Sequence, residues 1–246
     1  MPGISLFLRS SASGCSIVHE LYTVSVDVCR RIPGSPATSF VSMGRWLSVS
    51  IWLLLLAPAL FASDRPVIVC FGDSITAGYG LNSGQSYPDA LQRNLNQRGY
   101  TYKVSNMGTS GATTKDAVTA IHSVVQAHPS VVILEFGGND GLRGLTLDQT
   151  RKNLDAVLTA LSNAHIRVLL AGITLPPNYG PDYIHSFDQV FRDLAAVHHT
   201  AFVPMIYQDM INVPGTIQPD GIHPTAKGSE IIAKTLMSAL TPLLHR

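Results

Sequence analysis

Between residues 67 and 240, short apolar runs alternate with stretches of helical periodicity. Apolar β-branched runs that stop at glycine or polar residues form buried strands, and apolar positions recurring every ~3.6 residues form amphipathic helices. The runs are Val67–Phe71, Tyr100–Val104 (reaching Asn106), Val131–Phe136, Ile166–Ile173 and Ala201–Pro204. The helical patterns are Tyr87–Arg98, Thr113–Ala127, Leu147–Ala164, Ile184–His198 and Thr225–Leu240, the last with Ile231, Ile232, Thr235, Leu236 and Ala239 inward. Such alternation predicts an α/β fold, a parallel sheet with helices on both faces. Five strands in this order fit a three-layer α/β/α sandwich with flavodoxin-like strand order 2-1-3-4-5. The switch point then lies between strands one and three, where open α/β sheets bind ligands.

Polar segments stand at the strand ends. The first strand stops at Gly72-Asp73-Ser74, and Ile75-Thr76-Ala77 can open a helix. Taken alone, Ser74 is either an N-cap or a reactive hydroxyl at free helix N–H groups. The other segments are Asn106-Met107-Gly108-Thr109-Ser110-Gly111, Gly137-Gly138-Asn139-Asp140 and Pro219-Asp220-Gly221-Ile222-His223-Pro224. Singly, an Asp-Gly, an Asn-Asp or a His-Pro is a turn or a surface loop. All of them at one sheet edge make a structural reading insufficient.

A serine nucleophile needs a base, and the base needs an acceptor that fixes its tautomer. His223 and Asp220 can supply both from one loop. The 205–224 connection is long enough to bridge the ~14 Å between strands five and one, and long loops in compact domains are usually functional. Attack on a carbonyl creates an oxyanion that requires preorganised donors. The Ser74 N–H, a glycine N–H of the second segment and the Asn139 amide are the candidates. The glycines at 137 and 138 predict a tight turn aiming Asn139 at the site.

These four segments resemble the SGNH (GDSL) hydrolase family, block by block. Ser74 matches the serine of GDS, Gly111 the glycine of the second block, Asn139 the asparagine of GGND, and Asp220 and His223 the D-x-x-H block. The resemblance spans residues 66–245 and is closer still to the TesA-type subgroup of arylesterases, thioesterase I and lysophospholipase L1. It implies Ser74, His223 and Asp220 as catalytic residues, with Ser74, Gly111 and Asn139 as the oxyanion hole. Gly108 competes with Gly111 for that role. It further implies a mobile 140–145 loop beside an acyl pocket and a groove lined by 175–180. Asp140, Gly141, Leu142, Leu145, Leu175, Pro176 and Tyr179 are then the substrate-binding residues. One departure is Ala112, where the family often carries an acidic residue.

Other chemistries fit less well. The 72–84 stretch lacks Gly-Lys-Ser/Thr, so it is no phosphate loop, and there is no H-E-x-x-H or G-x-S-x-G. His198 and His199 are adjacent and diverge on a helix, so no metal site is expected. A net charge of +1 gives no basic field for nucleic acid. Of the three cysteines only Cys70 falls in the domain, as a small core residue in the first strand.

Upstream, residues 1–42 are serine-rich and without period, and are expected to be a non-native or disordered extension. Met43-Gly44-Arg45 then precedes an apolar run from Trp46 to Phe61 and Ala62. That is the layout of a secretory signal peptide over 43–62, the run being short for a membrane span. An uncleaved anchor is the alternative. The expected product is a periplasmic or secreted monomer, residues 63–246, with no stable membrane insertion. It acts on an acyl ester or thioester without metal or organic cofactor. An O-acetyl esterase of carbohydrate or peptidoglycan, or a non-catalytic acyl- or glycan-binding module, are the competing readings.

Overall fold

In the computed structural model residues 65–245 are described. The expected 1–42 extension and the 43–62 signal peptide lie outside the described residues. Five strands form one sheet: β1 Val67–Gly72, β2 Lys103–Gly108, β3 Val131–Glu135, β4 Arg167–Ala171 and β5 Ala201–Val203. Their order is β2-β1-β3-β4-β5, and every pairing is parallel. All five residues of β3 are buried, as are the last five of β1, so both strands appear in the sequence as unbroken apolar runs.

The edge strands differ from their sequence expectation. β2 is shifted towards the C-terminus, to Lys103–Gly108, because its partner fixes its extent: Val67 pairs with Lys103 and Gly72 with Gly108. Half of an edge strand's surroundings are solvent, so β2 holds only exposed and half-buried residues, and its apolar content does not mark its ends. β5 spans only Ala201–Val203.

The helices are α1 Ser74–Ala77, α2 Tyr87–Gln97, α3 Thr114–Gln126, α4 Gly138–Leu142, α5 Leu147–Asn163, α6 Pro181–Val197 and α7 Ala226–Leu240. α2 packs against α7, while α3 packs against α5 and α5 against α6, giving the two helical layers. Capping sets several starts. Ser86 and Asp89 form a capping box at α2, Thr113 and Asp116 another at α3, and Thr225 caps α7. On α7, Ile232, Thr235 and Leu236 are buried as the periodicity predicts, while Ile231 and Ala239 are half-buried. Tyr87, Phe136, Phe187 and Phe191 are the bulkiest wholly buried side chains, and Cys70 is buried beside them in β1. Burial pushes the Cys70 thiol far above its ordinary value, which keeps it unreactive.

Candidate active site

Ser74 begins α1 but does not cap it. The N-cap is Asp73, whose Oδ1 accepts the Ile75 N–H at 3.0 Å. The Ser74 hydroxyl is therefore free for another partner. Glycine makes this turn possible. A Cβ on Gly108 would lie 2.2 Å from the Ala77 backbone nitrogen, so the end of β2 can approach α1 only without a side chain. Asn106 adds a bond across the same gap, donating from Nδ2 to the Thr76 carbonyl at 2.9 Å.

His223 arrives from the far side of the sheet. Residues 216–225 fold back on themselves, with Ile217 bridging antiparallel to Pro224. The Gln218 N–H donates to the His223 carbonyl, and the Thr225 N–H to the Thr216 carbonyl, both at 2.8 Å. Asp220 sits in the bend. Its Oδ1 accepts the N–H groups of Ile222 and His223 at 2.9 and 3.0 Å. Its Oδ2 lies 2.6 Å from His223 Nδ1, and His223 Nε2 lies 2.8 Å from Ser74 Oγ. A carboxylate accepts from Nδ1–H, which leaves the Nε2 lone pair facing the serine hydroxyl. Desolvation pushes the Asp220 carboxyl up, but bonds from the Ile222 N–H, the His223 ring and the His223 N–H outweigh it and hold it at about 2. Asp220 is thus ionised throughout the neutral range.

Two more aromatic rings hold the base. The Tyr79 ring lies 4.7 Å from the His223 ring. The Tyr207 hydroxyl donates to the Ile222 carbonyl at 3.0 Å, and burial raises its pKa well above the ordinary value, so it remains a donor. Neither tyrosine belongs to a motif with a mechanistic spacing, and neither is identifiable from sequence.

The oxyanion candidates separate clearly. Ser74, Gly111 and Asn139 line the same cleft. No acceptor among the described residues takes the backbone N–H of Ser74 or Gly111. Gly108 instead donates its N–H to Asn106 Oδ1 at 2.9 Å, does not line the cleft and serves the close approach to α1. Asn139 Nδ2 donates to Asp73 Oδ2 at 3.1 Å and to the Ala112 carbonyl at 2.9 Å. At Ala112, then, the backbone rather than an acidic side chain meets the asparagine. Both Asn139 hydrogens have acceptors in this substrate-free arrangement, so an incoming oxyanion would share one of them. Asn139 also sits in α4 rather than in the tight turn expected for 137–140. Gly137, at φ +117°, makes the sharp entry, where a Cβ would also strike the Phe191 ring at 2.9 Å.

Beneath the nucleophile lies a pair of buried carboxyls. Glu135, the last residue of β3, accepts the Thr76 hydroxyl at 2.8 Å, while its Oε1 has no partner among the described residues. Burial, then the charge of Asp73, raises its pKa well above the ordinary carboxyl value. Glu135 is therefore the neutral member. Asp73 is raised to about 6, desolvation outweighing the Ile75 N–H, the His223 charge and other donors.

The cleft has a volume of about 880 Å³ and a mostly apolar wall. Of the expected substrate-binding residues, Leu142, Leu175 and Pro176 line it. The other four do not, each for a visible reason. Asp140 is wholly buried and accepts the Thr114 N–H at 2.9 Å and hydroxyl at 2.5 Å, so it is committed to α3. Gly141 makes room for Leu175, whose Cδ2 would be 2.5 Å from an added Cβ. Tyr179 lies behind the wall and donates its hydroxyl to the Leu142 carbonyl at 2.8 Å. Leu145 points outward, 38% exposed. Residues 140–142 also belong to α4 rather than to a loop. The opposite wall, including Met205, Tyr207, Met210, Val213 and Ile217, comes from the long connection after β5. That irregular segment has no period from which its inward side chains could be read.

Comparison with known proteins agrees with this geometry. Residues 70–231 match the model of the GDSL-like Lipase/Acylhydrolase family. The chain is 37% identical over 199 residues to Esterase TesA of Pseudomonas aeruginosa, covering 80% of this chain and 98% of that protein. It is 31% identical over 208 residues to Thioesterase 1/protease 1/lysophospholipase L1 of Escherichia coli K12, covering 84% and 98%. A crystal structure of TesA superposes with a TM-score of 0.70 at 37% identity, covering 72% of this chain and 99% of that one. With Ser74, Gly111, Asn139, Asp220 and His223 gathered at one end of a 2-1-3-4-5 sheet, the chain belongs to the GDSL-like, or SGNH, hydrolase family.

Proposed function

We propose that the protein is a serine carboxylic-ester hydrolase acting on acyl esters or thioesters through an acyl-enzyme. The observation that carries this is the chain of contacts Asp220–His223–Ser74, at 2.6 and 2.8 Å, opening into an apolar cleft. Ser74 Oγ attacks the carbonyl carbon as His223 Nε2 takes its proton. The new C–O bond puts the carbonyl electrons on oxygen, which the Ser74 and Gly111 N–H groups receive, with Asn139 as the third donor. His223 returns the proton to the leaving oxygen or sulfur as its bond to carbon breaks. Water, deprotonated by the same nitrogen, then attacks the acyl carbon; as the bond from that carbon to Ser74 Oγ breaks, His223 returns the proton to Oγ and the acid leaves. Asp220 stabilises the imidazolium formed in each half-reaction.

The cleft supports acyl chains over acetyl groups, because an acetyl would leave most of its apolar wall uncovered. That is the argument against an O-acetyl esterase, and the complete nucleophile–base–acceptor set is the argument against a mere binding module. Relatives are named for esterase, thioesterase and lysophospholipase activities, and all three fit one acyl-enzyme mechanism. No described helix is long and apolar enough to cross a membrane. Taken with the leader pattern of 43–62, our reading is a monomer that works in the periplasm or outside the cell.

The test is Ser74→Ala on the purified protein. Hydrolysis of p-nitrophenyl acyl esters and labelling by a fluorophosphonate should both vanish, with the circular dichroism spectrum unchanged. Retained turnover refutes the nucleophile assignment. Acetyl and longer acyl esters, compared at equal concentration, separate the acyl reading from the acetyl one.

A further inference from the structure

We propose that Gln218 is a positioning residue: its side-chain amide docks the hairpin that carries His223 onto the turn that carries Ser74. The proposal rests on the nucleophile–base reading above and extends it to a residue outside the family blocks.

Backbone bonds define the 216–225 hairpin internally. They say nothing about where it stands relative to Ser74. Gln218 supplies that link. Its Nε2 donates to the Tyr79 carbonyl at 2.8 Å and to the Pro224 carbonyl at 2.9 Å. Two carbonyl acceptors require the nitrogen, not the oxygen, at this end of the amide. Tyr79 in turn donates its N–H to the Ser74 carbonyl at 3.0 Å, so its own carbonyl is one turn from the nucleophile. Pro224 directly follows the base. One planar group thus spans from the nucleophile's segment to the base's neighbour. Among the described residues it is the only hydrogen bond between segments 74–80 and 216–225 apart from Ser74–His223 itself.

The site is shaped to accept that amide. Gly80, at φ +75°, lies against it, and a Cβ there would come within 2.4 Å of Gln218 Oε1. Gln218 is half-buried, which protects its bonds from competing water. The Tyr79 ring, held by the same carbonyl, covers one side of the His223 ring.

Losing this link frees the hairpin to shift, and a displacement of about 1 Å between reacting groups can cost on the order of 10²-fold in rate. Gln218→Met keeps the length and removes both donors, and Gln218→Ala removes the side chain. The measurements are kcat and KM on a p-nitrophenyl acyl ester, the fluorophosphonate labelling rate, and the low-field proton resonance of the His223–Asp220 bond. We expect kcat and the labelling rate to fall together by ~10–10²-fold with KM nearly constant. The Nδ1 proton resonance should persist, because the hairpin carries its own Asp220 bond. A kcat within twofold of wild type in folded Gln218→Met overturns the proposal, as does loss of the Nδ1 resonance, which would mean the hairpin itself had unfolded. Ser74→Ala run alongside separates the two ideas. If it stays active, the nucleophile reading fails; if it is dead while Gln218→Met is fully active, only the Gln218 proposal fails.

Discussion

Asp220→Asn isolates the electrostatic part of the catalytic contact from its architectural part. Asp220 uses its two oxygens for different tasks. Oδ1 closes the bend by accepting the Ile222 and His223 N–H groups, and Oδ2 holds the His223 ring at 2.6 Å. Asparagine can keep the first task with its carbonyl oxygen. It fails at the second, because an NH₂ group cannot accept the Nδ1 proton. The ring then prefers the tautomer with hydrogen on Nε2, which faces Ser74 with a donor instead of a base. A charge-assisted hydrogen bond is worth about 1.5–3 kcal/mol, or roughly one to two decades in rate. The tautomer change adds to this; in a buried serine-protease triad the same substitution costs ~10⁴ in kcat. The Asp220 side chain is 38% exposed, so water offsets part of the loss, and we expect a fall of roughly 10²–10³ in kcat. The assay is steady-state hydrolysis of a p-nitrophenyl acyl ester, with thermal unfolding as the control. Because the folded pKa of Asp220 is depressed to about 2, its stabilising effect is present above the unfolded value and is lost as pH falls towards 2. The melting temperatures of wild type and Asp220→Asn should therefore converge below about pH 4. A variant with kcat within threefold of wild type would refute the tautomer argument.

Two other substitutions probe the scaffold. Gly108→Ala drives a Cβ to 2.2 Å from the Ala77 nitrogen and 2.7 Å from the Thr76 carbonyl carbon, both backbone atoms; it should cost about 1–3 kcal/mol in urea unfolding and lower kcat further by moving α1, and an unchanged unfolding midpoint would contradict the packing. Glu135→Gln replaces a buried carboxyl with a neutral isostere that still accepts the Thr76 hydroxyl. A raised folded pKa favours the fold at low pH, and that benefit disappears as pH rises from the unfolded value through the folded one, so the Gln variant should gain in melting temperature relative to wild type between pH 5 and pH 8. Parallel curves would show that Glu135 titrates normally.

The interior strands were legible because burial on both faces leaves no alternative to an apolar run, as in Val131–Glu135. β2 is offset from the apolar run that marks it because its limits follow from register with β1, a non-local fact. Ser74, Asp220 and His223 were legible because nucleophile, base and acceptor are chemically distinctive types at strand ends. The wall residues were only half legible. Leu142, Leu175 and Pro176 lie in stretches that the family resemblance covers, whereas Met205, Met210 and Ile217 project from an irregular connection. The resemblance implies Asp140 as a substrate-binding residue of a mobile loop, yet in α4, one position beyond Asn139, its side chain points to Thr114 instead of the cleft. Gln218 carried no signal, since its role depends on Tyr79, 139 residues away in sequence.

A common logic links these contacts. Each strand-end segment is tied to another by a polar bond. Asn106 binds the Thr76 carbonyl, Thr76 binds Glu135, Asn139 binds Asp73, and Gln218 binds Tyr79. Net, each such bond adds only about 0.5–1.5 kcal/mol to stability. That is little beside the hydrophobic core, in which a single buried Leu or Phe contributes about 1.5–3 kcal/mol. Their value is directional: apolar packing places the strands but leaves loop ends free to slide, and a carbonyl-to-amide bond fixes them. The buried Asp73–Glu135 pair extends the same principle to charge. With Glu135 neutral and Asp73 anionic at neutral pH, the pair buries one negative charge beside Ser74 instead of two, and the Ile75 N–H and the Asn139 amide fix that charge in the turn.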